Sequence, residues 1–165
     1  MCYFVFEIKY VKEKYKMGEV KFVPIHNWDN CIACAIKGRL NDQGGETTIK
    51  NGTSKFEISY ADDQTGIVFV SGKTAPVLLT WDVFFATIDI MKQNGGKALK
   101  GDASKKLGSK DLKLDTIEGY VASTIFGKKK NQTVEKNIVR IGAILKWADI
   151  VKVGKDYLEL NEEYK

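Results

Sequence analysis

Residues 115–160, DTIEGYVASTIFGKKKNQTVEKNIVRIGAILKWADIVKVGKDYLEL, constrain what this chain can fold into more than any other stretch. Val134, Ile138, Ile141, Leu145 and Ala148 recur at spacings of four and three. A helix over residues 133–148 would carry them as one apolar stripe, with Glu135, Lys136, Arg140 and Lys146 pointing elsewhere. Ahead of it, Asp115-Thr116-Ile117-Glu118 supplies a capping residue with a glutamate three positions on, which opens a second helix that Gly127 closes. Behind it, Ile150-Val151-Lys152-Val153 and Tyr157-Leu158-Glu159-Leu160 flank Gly154-Lys155-Asp156 as an economical hairpin. The connector between the two helices, Lys128, Lys129, Lys130, Asn131 and Gln132, joins three cations to two amide side chains.

The first half is written as strands. Residues 3–11, 19–25, 31–40, 46–50, 55–60 and 66–71 are short β-rich runs separated by turn residues, and Lys50-Asn51-Gly52-Thr53 has the makings of a tight hairpin. Phe56, Ile58 and Tyr60 alternate with polar residues, so the spacing predicts an antiparallel, meander-like sheet with one wet side. Ala75-Pro76 interrupts the strands. Thr80 can then cap a helix over residues 81–94 that buries Val83, Phe84, Ile88 and Met91 and ends at Gly95-Gly96. Residues 97–114 are polar and basic, a loop with one short extended piece. The expectation is an α+β chain in two units: a β-rich unit over 1–76 of unknown role, and a helical unit with a hairpin over 77–165.

With 165 residues and 44% hydrophobic composition, the chain can bury one good core or two small ones. No run of about 18 uncharged apolar residues predicts a membrane span, and no secretion signal is evident. Three cysteines, an odd number, do not make a disulfide framework, so a cytoplasmic protein is expected. Charge is uneven. Residues 1–76 hold ten Lys and Arg against nine Asp and Glu, whereas residues 92–140 hold twelve against five. Such a one-sided field steers polyanions without selecting a sequence.

From about residue 77 to 161, the order helix, basic segment, helix, helix, hairpin resembles the winged-helix family of DNA-binding domains. The resemblance implies that the helix over 133–148 is similar to the family's recognition helix and that Gly154-Lys155-Asp156 forms the tip of the wing. The expected contact set is Lys128, Lys129, Lys130, Asn131, Gln132, Thr133, Lys136, Asn137, Arg140, Lys152 and Lys155. Lys128, Lys129 and Lys130 would neutralise phosphates, Asn137 and Arg140 would reach base edges, and Lys152 and Lys155 would touch backbone beside the groove. The helix N-terminus would present its amides to phosphate. The partner is then duplex DNA, in a regulatory or defence-related setting, with the N-terminal half open to a protein partner or a second copy. No catalytic residue, metal or cofactor is expected. Gly142 costs this helix about 1 kcal/mol relative to alanine unless close packing requires it.

Two other classes remain: a module that docks on another protein with the same basic face, and a small nuclease using Glu7-Ile8-Lys9 with a divalent cation. Ser71-Gly72-Lys73-Thr74 looks like the end of a phosphate-binding loop, but Gly66 stands six residues before Gly72 rather than five. Cys31-Ile-Ala-Cys34 with His26 could bind zinc. On a strand, however, residues three apart face opposite ways, and buried free thiols are expected instead. Trp81, Trp147 and Phe126 could be stacking platforms for single strands, although core packing is the ordinary use of such residues near helix ends.

Overall fold

The computed structural model describes residues 27–72 and 74–165, with side chains from residue 32 onward. The runs at 3–11 and 19–25, together with Glu7, Lys9 and His26, lie outside the described residues. The first described element is a helix, α1 (Asn27–Asn41), where the sequence predicts a strand over 31–40. Ile32, Ile36 and Leu40 stand four residues apart and are all buried, which is a helical face and not an alternating one. Cys34 is exposed on that helix, so the expectation of a buried thiol there is corrected.

Four strands follow as an antiparallel meander: β1 (Glu46–Asn51), β2 (Ser54–Tyr60), β3 (Gly66–Val70) and β4 (Val77–Thr80), paired in chain order. Asn51 pairs with Ser54 across the two-residue turn Gly52-Thr53, and Gly52 has φ +61°, a conformation that glycine adopts without strain. Phe56 and Ile58 are buried while Lys55 and Glu57 face solvent. Tyr60 donates its hydroxyl to the Lys37 carbonyl oxygen and to Asn41 Oδ1, each at 2.9 Å, and so ties β2 to α1. Beyond Pro76, where the helical unit is expected to start, β4 instead pairs with β3 from Gly66↔Thr80 to Phe69↔Val77. It runs directly into α2 (Trp81–Gln93), which buries Val83, Phe84, Ile88 and Met91 and stops at Gly95 and Gly96, φ +72° and +92°.

The chain continues through β5 (Lys97–Leu99), α3 (Ile117–Thr124), α4 (Ile138–Trp147), β6 (Val151–Val153) and β7 (Tyr157–Leu160), and closes on a 3-10 turn, Glu162–Tyr164. β5, β7 and β6 form a second antiparallel sheet in that spatial order. The class is α+β, but strands and helices interleave along the chain, which corrects the expected order of a β half followed by a helical half. One buried cluster runs from Ile36 on α1 through Phe69 and Ile88 to Ile144 and Leu158, so both sheets share it. α4 lies within this core. Its Ile138, Ile141, Gly142, Ala143, Ile144 and Leu145 are all buried, and it packs against β1 of the first sheet. A satellite cluster of Leu107, Leu112 and Ala122, with Val134 packed on it, sits under the loops on either side of α3.

Candidate nucleic-acid interface

Two loops rich in lysine are cross-bonded over that satellite cluster. The Leu107 amide donates to the Gln132 carbonyl oxygen at 3.0 Å, and the Asn131 amide returns a bond to the Leu107 carbonyl oxygen at 2.8 Å. Gly101 and Gly108 make the first loop's bends at φ +82° and +86°. A Cβ on Gly108 would meet Lys130 Cγ at 3.0 Å, so the Lys130 stem lies across the first loop. Asp102 accepts from the Ser104 amide at 3.0 Å. Bonds from Ser104 hold its carboxyl below the ordinary range, helped by the nearby cations of Lys105 and Lys136, one from each loop. Loop one carries Lys105, Lys106, Lys110 and Lys113, loop two carries Lys128, Lys129, Lys130 and Lys136, and all eight are exposed. Among the described residues none of these eight has an ion-pair partner; the ion pairs there join Lys165 to Glu159 and Glu162.

The expected contact residues divide sharply in this arrangement. Lys128, Lys129, Lys130, Thr133 and Lys136 are exposed. Asn131 has φ +68° and serves the loop bridge through its backbone. Gln132 is exposed, with Oε1 accepting from the Lys129 amide at 2.8 Å. Asn137 is only 2% exposed and does not reach outward, which corrects its expected role at a base edge. Arg140, half-buried, donates from Nη1 to the Lys136 carbonyl oxygen at 2.6 Å and to Asn137 Oδ1 at 3.0 Å, which ties that nitrogen to the turn that precedes α4. Lys152 borders a separate concavity with Lys146, Asp149 and Glu162. Lys155 is exposed at the hairpin tip, which the Lys100 amine holds by donating to the carbonyl oxygens of Gly154 and Lys155 at 2.6 and 2.9 Å. Burial lowers the Lys100 pKa, and Asp156 opposes the shift.

The most consequential residue is one that sequence reasoning placed elsewhere. Glu118 stands where the cap pattern puts it, but the N-cap of α3 is Thr116, whose hydroxyl accepts from the Gly119 amide at 3.2 Å. The Glu118 carboxylate leaves its own helix. Its Oε1 accepts the amides of Asn137 and Ile138 at 2.8 and 2.7 Å, which are the first donors of α4. A buried carboxyl group of the protein therefore occupies the amide end of α4, where an external phosphate was expected. The helix accordingly begins at Ile138 and not at 133. With β1 against its flank and Arg39 of α1 donating to the Trp147 carbonyl oxygen at its far end, α4 keeps only Val139 and Lys146 exposed.

Beside Glu118 lies a cleft of about 370 Å³, walled by Ala122, Phe126 and Val134 and edged by Lys128 and Glu135. Phe126 is 46% exposed, in contrast to the core packing expected of it, whereas Trp81 and Trp147 do pack against the main core. No family model, curated protein or solved structure matches this chain.

Proposed function

We propose that this chain binds nucleic acid, duplex DNA first of all, through its backbone phosphates, and that the two cross-bonded lysine loops form the grip. The observation that carries this reading is the set of eight exposed lysines, fixed on two loops over one small core, with no ion-pair partner among the described residues. Exposed cations on a rigid base, none of them locked in an ion pair among the described residues, are suited to neutralise phosphates and release condensed counterions, and the affinity gained needs no base-specific contact. The order α2, β5, α3, α4, β6, β7, with a sheet arranged β5-β7-β6, is the element order on which the resemblance to winged-helix domains rests. The mode of contact differs from the one that resemblance implies, because the helix corresponding to the recognition helix is packed inside.

A salt titration of duplex affinity tests the proposal. The expected result is a steep fall of log K with log salt, and replacement of Lys128, Lys129 and Lys130 by alanine should lower the slope by about 2 to 3. No duplex affinity at low salt, or a slope untouched by the triple substitution, would overturn it.

A further inference from the structure

We infer that the cleft between α3 and the 126–136 loop is a slot for one unstacked nucleobase carrying an exocyclic amine, an inference that rests on the phosphate grip proposed above. Its floor is a carboxylate. Glu118 is 2% exposed, both backbone amides that it accepts fall on Oε1, and no described residue donates to Oε2. Oε2 therefore remains open to an N–H donor in the cleft that Glu118 lines. Guanine, adenine and cytosine offer an amino group, and guanine sets N1–H beside it. Thymine flanks its single N–H with two carbonyl oxygens that a carboxylate repels.

The walls fit the faces of a base. Ala122 and Val134 are apolar, and Phe126 stands open at the mouth as a stacking surface next to Lys128. A volume of about 370 Å³ has room for one base. The rim carries Lys128 opposite Glu135, and Lys129 and Lys130 follow Lys128 along the chain, so a strand held by these lysines would pass beside the slot. A base leaving the stack would therefore enter from a backbone already held, at a cost that is least for an unpaired nucleotide.

Anisotropy titrations of a short DNA duplex bearing one unpaired central dG, the same duplex with an unpaired dT, and the fully paired duplex test this directly. The dG bulge should bind about tenfold tighter than the paired duplex, and the dT bulge with little gain. Phe126→Ala should bring the dG bulge to the paired level without altering the paired affinity, and Phe126→Trp should retain the preference. Glu118→Gln, with its fold verified by circular dichroism, should remove the distinction between dG and dT. Equal affinity for bulged and paired duplexes with a steep salt slope would overturn the slot while the phosphate grip stands. An equal gain for dG and dT would overturn the role of Glu118, and absence of affinity for all three duplexes would overturn both proposals.

Discussion

Glu118 takes the position that a bound anion would take at the start of α4, and it does so from a neighbouring helix. Its removal has a definite cost. Glu118→Ala leaves two buried amides, those of Asn137 and Ile138, without an acceptor, and urea denaturation should show a loss of about 1–3 kcal/mol. Glu118→Gln keeps an acceptor oxygen and should lose less. Burial raises the Glu118 pKa, against the opposing pull of the two amides and of Lys136 and Arg140. The folded protein therefore holds the proton more tightly than the unfolded chain does. Its contribution to stability is full below the ordinary glutamate value and declines as pH rises from there through the folded-state value. Denaturation midpoints measured across that window should fall with rising pH in the native protein and flatten in Glu118→Gln.

At the level of elements, two glycines make opposite forecasts. In α4 a Cβ on Gly142 would meet Leu158 Cδ2 at 3.5 Å, ordinary contact, so packing does not require glycine there. Gly142→Ala should stabilise the protein by about 0.5–1 kcal/mol in a thermal melt. In α3 a Cβ on Gly119 would collide with the Lys113 carbonyl oxygen, so Gly119→Ala should cost about 1–3 kcal/mol in the same assay. Elements with their own local period were legible beforehand: β1 to β3, α2 with its glycine stop, and the β6–β7 hairpin. α1 was hidden because only Ile32, Ile36 and Leu40 carry its stripe, inside a run of small and β-branched residues that also suits a strand. The early start assigned to α4 came from Val134, which keeps the helical spacing but packs on Leu107, Leu112 and Ala122 in the other cluster. For the interface, the triple lysine was plain in the sequence. Its pairing with Lys105, Lys106 and Lys110 depends on the backbone bridge between Leu107 and residues 131–132, a long-range contact that no local pattern announces.

Across the whole molecule, α4 is the shared property of both halves, since it packs on β1 and also lies over the second sheet through Gly142 and Leu158. Tryptophan fluorescence and far-ultraviolet circular dichroism should therefore report coincident urea transitions, and separate midpoints would contradict a common core. Chains cut after residue 76 should not fold as two soluble pieces, because β3 would lose β4 and β1 would lose α4. The junction at Thr80 adds a mechanical corollary. That residue closes β4 and is also the N-cap of α2. With no slack between strand and helix, a pull on the meander is passed undamped into the centre of the protein, and an insertion at this joint would be ruinous.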